Sequence, residues 1–329
     1  MPTYNCELYV AKAIDSILGQ TFSDFEFLII DDCSTDNTTQ IAKSYSDSRI
    51  KVITKERNTG YTESLNYGIS IANGKYIVRM DGDDISLPTR FEKQLKAFEV
   101  DKDLILCGTA IQVLGTNEVK RHPSKHEDIK VKLCFSNAFF HPSVMIRKDI
   151  FNTVKYNKDF EPAEDYDLWT KIVFLGKVMN IDDVLLNYRV HNNQVSNYKS
   201  NIQIEAMNIA QLRMFQKLLS DEIIELEIYK KAFKNKKIDS IDEFFNVARL
   251  FKKIKTNNNQ LKIYKQYKFN RWLQKAKVNF VKNYFEINGF NVKVFFIILS
   301  TFSLVDIFLI IKKSFWFIIN RFSFKVIVF

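Results

Sequence analysis

Asp81, Asp83 and Asp84 fall within four positions of the run MDGDD, directly after the apolar stretch YIV. Unpaired carboxylates this close repel one another, so a folded chain keeps them where water, a cation or a basic partner offsets the charge. A second pair, Asp31 and Asp32, ends the apolar run EFLII. Carboxylate oxygens suit hard divalent cations such as Mg²⁺ or Mn²⁺, and one cluster can anchor a nucleotide while the other holds a cation bridging its diphosphate. Most Asp residues cap helices and fill turns, and for a single cluster that plain reading is the better one. Two clusters at consecutive strand ends reverse the balance.

Both clusters need strands that end at one edge of a sheet. Apolar runs of strand length (EFLIIDD, IKVIT, KYIVRMD, DLILCGTAIQVL, SVMIR) alternate with helical patterns. The helices are read at Glu7–Leu18 behind an Asn5 cap, and over STDNTTQIAKSY, YTESLNYGISIA, TRFEKQLKAFE and DYDLWTKIVFLG. Alternation of this kind predicts an α/β fold, a Rossmann-like and mostly parallel sheet covered by helices. Ligands bind such sheets at the carboxyl ends of the strands, where Asp31, Asp32, Asp81 and Asp83 fall.

The charge is unevenly spread. Residues 1–200 carry 25 basic and 28 acidic side chains, residues 201–290 carry 18 and 9, and residues 291–329 carry 5 and 1. A near-neutral first part followed by a basic and then strongly apolar one suits an anionic membrane surface better than nucleic acid. Three parts are therefore expected: a catalytic domain over 1–200, a basic helical extension over 201–290, and a membrane-associating segment over 291–329. The 18 residues Val294–Ile311 are slightly short for a span and contain Asp306, whose burial at mid-membrane costs roughly 2.5–3.5 kcal/mol. Helices lying in the headgroup region, flanked by Lys312, Lys313 and Trp316, are the favoured reading. Cys6, Cys33, Cys107 and Cys134 show no metal-binding spacing and no signal peptide opens the chain, which places the catalytic part in the cytoplasm, attached to the inner face of the membrane.

The runs PTYN (2–5), QTFSDFEFLIIDDCSTDNT (20–38), RNTGYTESLNYGISIANGKYIVRMDGDD (57–84), HPSVMIR (141–147), AEDYDLW (163–169) and YRVHNNQVS (188–196) resemble, in order, the inverting glycosyltransferases of family 2, which have the GT-A fold. The resemblance covers residues 1 to about 196. It implies that Tyr4 and Asp32 contact the base and ribose of a nucleotide-sugar, with Asp31 supporting their loop. Asp81-Gly82-Asp83 matches the family's DxD motif, with Asp81 facing the nucleotide-sugar and Asp83 binding Mn²⁺ or Mg²⁺. Asp165 matches the catalytic base, and His191 matches a His near the metal and diphosphate. Read from the residues alone, Glu164 and Asp165 are acidic residues at a helix start, which is compatible with aiming a base. Trp169 is either an acceptor platform or a core aromatic, and His141 is structural.

Two features depart from the family. Its members begin with an apolar strand before PTYN, and here Met1 stands where that strand should end, so a missing central strand or additional upstream residues are expected. The QxxRW motif of processive synthases has only KFNRW (268–272) as a counterpart, which favours transfer of a single sugar. The expected function is transfer of a hexosyl or N-acetylhexosaminyl group from a nucleotide-sugar, with UDP as the nucleotide, to a cell-surface glycan or lipid-linked acceptor. The rival reading is a catalytically inactive, membrane-attached binding protein of the same fold. A Gly-rich phosphate loop, as a nucleotidyltransferase would carry, and a GxGxxG after a strand are both absent.

Overall fold

The computed structural model describes residues 1–190, 200–219, 226–234, 236–289 and 291–311. They fall into two compact units, Met1–Gln211 and Leu212–Phe329.

The first unit opens with β1 (Pro2–Thr3), α1 (Val10–Leu18), β2 (Phe27–Asp31), α2 (Thr38–Lys43), β3 (Ile50–Thr54), α3 (Tyr61–Ile71), β4 (Tyr76–Val78) and β5 (Ile85–Ser86). It continues with α4 (Arg90–Val100), β6 (Leu104–Val113), β7 (Val119–Lys120), α5 (His126–Lys132), β8 (Met145–Arg147), α6 (Glu164–Ile172) and β9 (Lys177–Tyr188). Strands β1, β2 and β3 form a parallel sheet with β2 in the middle. The remaining strands form a second sheet in the order β4-β8-β6-β9-β5, with β7 on β6. Within it only β6 and β9 run parallel. β8 is antiparallel to both β4 and β6, and β5 is antiparallel to β9. The α/β class is as read, while among the described residues parallel pairing is confined to β1–β3 and the β6–β9 pair.

Helices α1 and α4 turn Val10, Ala13, Ile14, Ile17, Phe91 and Phe98 inward, where they join Ile29, Met80, Leu104, Cys107 and Met145 in one core. α1 begins three residues later than the periodicity suggests. Asn5 adopts φ 47°, and its side-chain oxygen accepts from the Thr35 N–H at 2.8 Å, so it ties two loops together instead of capping α1. The two-residue β1 lies beside β2, and the Met1 ammonium donates to the Leu28 carbonyl at 2.8 Å. Burial lowers the pKa of that ammonium to about 5. A cavity of about 720 Å³ lies next to Met1, lined by Phe25, Ile30, Leu65, Val78 and Met80.

The second unit is helical. It contains the end of α7 (Ser200–Gln216), then α8 (Leu226–Phe233), α9 (Ile241–Leu261), α10 (Gln266–Asn288), α11 (Val292–Thr301) and a helical segment at 304–311. Ser240 caps α9 by accepting from the Glu243 N–H. Its core is aromatic: Trp272 stacks on Phe233 at 5.4 Å and on Phe215 at 5.6 Å, so the Trp of KFNRW is a packing residue.

The apolar run Val294–Ile311 is not one helix. It breaks at Phe302 and Ser303, where the Ser303 hydroxyl accepts from the Asp306 N–H and the Asp306 carboxylate accepts from the Ser303 N–H. This reciprocal cap restarts the helix. Asp306 also accepts from Lys277 Nζ at 3.0 Å and Gln274 Nε2 at 3.1 Å. The carboxylate expected to oppose a span is therefore neutralised inside protein. No helix among the described residues is long and apolar enough to cross a membrane. The headgroup helices expected after Ile311 lie outside the described residues.

Candidate functional site

A cleft of about 760 Å³ in the first unit is lined by the ends of β1 and β4, the loops after β2 and β3, and the start of α6. Tyr4, Asp32, Asp81, Asp83 and Asp165 all line it, as do Arg79, Asn137, His141 and Glu164. Residues more than eighty positions apart thus share one opening. His191 lies outside the described residues.

Asp31 does not face the cleft. It is fully buried and accepts from Ser34 N and Oγ, Thr39 Oγ1 and Thr3 Oγ1, which closes the turn after β2. Asp32 beside it accepts from Lys55 Nζ at 2.6 Å and from the Thr59 and Gly60 amides at 3.1 and 2.9 Å. Burial raises its pKa, but the Lys55 bond and charge together with the amides outweigh burial and hold it below the usual carboxylate range. Tyr4, half exposed, presents its ring at the rim.

Asp81, Asp83 and Asp84 can each place one oxygen within 4.8 Å of the others. Asp81 is salt-bridged to Arg79, Nη1 to Oδ2, at 2.5 Å. Asp84 is buried; its Oδ1 accepts from the Arg189 N–H at 2.8 Å, and its Oδ2 has no hydrogen-bond partner among the described residues. Burial and then the charges of Asp81 and Asp83 push the Asp84 pKa well above its ordinary value. Arg189 Nε donates to the Asp83 carbonyl at 2.8 Å and so fixes the turn that carries all three. A buried carboxylate oxygen left unpaired beside two further carboxylates fits a hard divalent cation. Gly82 is required locally as well, because a Cβ there would lie 2.9 Å from Cys6 Sγ and 3.2 Å from Thr3 Cγ2.

Glu164 and Asp165, which line the same cleft, start α6, where the unpaired amides of a first helical turn favour negative charge. Asp165 Oδ2 accepts from Asn137 Nδ2 at 2.8 Å and Oδ1 from the Tyr166 N–H at 2.6 Å, which aims the carboxylate. Burial raises the Asp165 pKa against those bonds and the field of Arg79. Burial, then the charge of Asp165, pushes Glu164 up to about 8, and its Oε2 has no hydrogen-bond partner among the described residues. A buried pair of acidic side chains, one of them inclined to hold a proton, suits proton transfer to and from a hydroxyl.

His141 is buried with Nε2 2.8 Å from the Tyr156 hydroxyl, and burial holds it neutral. Trp169 is fully buried against Phe139 and His141, which assigns it to the core and removes the acceptor-platform reading. Three basic residues escaped sequence reasoning: Lys55, Arg79 and Arg189. Each is a single positive charge beside an apolar or acidic run, a weak signal unless the distant carboxylate is known.

Over residues 1–157 the chain matches the family described as Glycosyl transferase family 2. It is 33% identical over 218 residues to an uncharacterized glycosyltransferase of Haemophilus influenzae, a match covering 61% of this chain and 68% of that protein. It is 37% identical over 207 residues to the O-antigen biosynthesis glycosyltransferase WbnJ of Escherichia coli, covering 58% and 78%. Its fold is similar to that of S. aureus TarS 1-349 in complex with UDP-GlcNAc, with a TM-score of 0.55 and 18% identity over 86% of this chain and 79% of that one. The family match and the relatives agree: this chain belongs to glycosyltransferase family 2 and is a glycosyltransferase enzyme.

Proposed function

We propose that the cleft transfers a single sugar, with inversion, from a UDP-sugar to a hydroxyl of a cell-surface glycan or lipid-linked acceptor. The observation that carries this reading is that Asp81 and Asp83, with Asp84 clustered beside them, line the same cleft as Glu164 and Asp165. The names of relatives support the two substrate classes: TarS was crystallised with UDP-GlcNAc, and WbnJ is named for O-antigen biosynthesis.

Tyr4 and the loop fixed by Asp32 would hold the nucleotide, and Asp81, still bridged to Arg79, would face the donor sugar. A divalent cation held by Asp83, with Asp84 and Asp81 completing its charge, would offset the negative charge on the diphosphate as it leaves. Asp165, aimed by Asn137 and the Tyr166 amide, takes the proton from the acceptor hydroxyl as that oxygen bonds to the anomeric carbon and the bond to the diphosphate breaks. One displacement inverts the anomeric centre. The intact carboxylate set weighs against an inactive binding protein.

Calorimetric titration with UDP, with and without Mn²⁺, tests the reading on the wild type and on Asp83→Ala. Cation-dependent binding that Asp83→Ala loses supports it. Equal UDP binding with and without Mn²⁺, retained by Asp83→Ala, overturns the cation assignment. Failure of UDP to bind in either condition overturns the donor assignment.

A further inference from the structure

Among the described residues, the second unit carries a face that its own core does not use. In α11, Val294 and Ile298 are buried while Val292, Phe296 and Leu299 point outward. In residues 304–311, Asp306 and Ile310 are buried while Leu304, Val305, Phe308 and Ile311 point outward. These seven outward side chains are between 44% and 85% exposed, and none of the exposed positions among them is acidic. The only acidic residue in 291–311 is Asp306, which is turned inward onto Lys277. Phe302 packs inward on Phe251, so the inner face is already complete without the outer one.

Large exposed apolar patches on a folded unit mark a docking surface. Two observations identify what docks. Residues 201–329 carry 23 basic and 10 acidic side chains, so the unit attracts an anionic surface and repels a second copy of itself. In sequence, residue 311 is followed by Lys312 and Lys313 and then SFWFIINRFSFKVIVF, which holds apolar and aromatic residues with only basic and small polar ones between them. Apolar rows with a basic border are the pattern of a helix pair lying in the headgroup layer of a bilayer.

We propose that the outward rows of α11 and residues 304–311 dock the enzyme on an anionic lipid bilayer, peripherally and without a span. Phe296 and Phe308 sit in the middle of the two rows and are the insertion anchors. Such docking confines the catalytic unit to the surface where a lipid-linked acceptor would lie. It stands independently of which donor the cleft takes.

Co-sedimentation of the full chain with vesicles of phosphatidylcholine alone, or mixed with phosphatidylglycerol, tests the proposal. The wild type should partition onto the mixed vesicles, less onto neutral ones, and less in high salt. Phe296→Glu/Phe308→Glu should lower that partition by about tenfold or more. Val100→Glu, at a more exposed apolar position on α4, should leave it unchanged. Unchanged thermal melting of both variants shows that folding is intact. Absence of vesicle binding by the wild type, or equal binding by the double variant, overturns the proposal. Light scattering then assigns the face: a dimer broken by the double variant means contact between copies, and a monomer means cover by residues 312–329.

Discussion

Arg79 Nη1 stands 2.5 Å from Asp81 Oδ2, and its guanidinium carbon lies 5.3 Å from the centroid of the Tyr61 ring. Arg79 is buried, its Nε has no hydrogen-bond partner among the described residues, and its charge opposes the burial that raises the pKa of both Glu164 and Asp165. One cation thus faces the carboxylates of the DxD turn and those at the start of α6. Replacement of Arg79 by Gln should raise the Asp165 pKa, so the acid limb of the pH dependence of kcat/KM moves to higher pH. Arg79→Lys should keep the limb near its wild-type position. Denaturant unfolding of Arg79→Gln should show a loss of about 2–4 kcal/mol, because Asp81 loses its ion-pair partner while it stays clustered with Asp83 and Asp84.

Glu164 titrates in the opposite sense from a salt-bridged acid. Its folded pKa of about 8 lies above the ordinary value of 4.5, so the folded state holds a proton that the unfolded state releases between those values. Its contribution to stability is therefore complete below the unfolded pKa and is lost as pH rises toward 8. Glu164→Gln, which carries no ionisable proton, should match the wild type near pH 4.5 and exceed it increasingly toward pH 8. Urea midpoints measured at both ends of that window check the sign, and a Gln variant less stable at the upper end would refute it.

Asp32 and Lys55 test the nucleotide loop. Lys55 Nζ bonds Asp32, Thr59 and Ser64, so one ammonium ties the end of β2 to the loop before α3. Lys55→Met leaves the buried Asp32 carboxylate with only the two loop amides. It should cost about 2–4 kcal/mol of stability and weaken UDP binding about tenfold, read by denaturation and calorimetry. Because Asp32 has a lowered pKa, its stabilisation is present above the unfolded value and fades as pH falls through the folded one.

The buried pair Lys277 and Asp306 makes a prediction for the helical unit. Both side chains are almost fully buried, so Asp306→Ala leaves an ammonium unpaired inside the core. Loss of one partner of such a pair costs about 3–5 kcal/mol, whereas replacing both by apolar residues of similar size is often neutral. Thermal melting should drop sharply for Asp306→Ala and recover in Lys277→Met/Asp306→Leu.

How much of this was legible depends on sequence distance. Asp31, Asp32 and Asp81 were readable because each ends a short apolar run, a signal contained within a few residues. The Lys55–Asp32 contact spans 23 positions and the Arg189–Asp84 contact 105, and no local pattern encodes either. The antiparallel pairing of β8 was hidden for the same reason, since its partners β4 and β6 precede it by tens of residues. The Asp306 cap was different. Ser303 and Asp306 stand three apart, the spacing of a capping box, but the pair lies inside an apolar stretch whose hydrophobicity is the stronger local signal.

Gly82 links the N-terminal loop to the acidic turn, and the link can be measured. Its hydrogen faces Cys6 Sγ, and the Cys6 N–H donates to Thr38 Oγ1 at 2.8 Å, which fixes Cys6 against α2. Space rather than backbone conformation restricts position 82, since Gly82 is not among the residues with positive φ. Gly82→Ala therefore requires the sulfur to move by several tenths of an ångström, which should cost about 1–2 kcal/mol. Cys6→Ala removes the obstruction, so Cys6→Ala/Gly82→Ala should be more stable than the sum of the single changes predicts, by about 1 kcal/mol in a double-mutant cycle. Mn²⁺ affinity should follow the same pattern, weakened by Gly82→Ala and restored in the double variant, because Asp81 and Asp83 flank the displaced residue. Additive energies would mean that the turn adjusts without pressing on Cys6, and the N-terminal loop would then have no part in shaping the cation site.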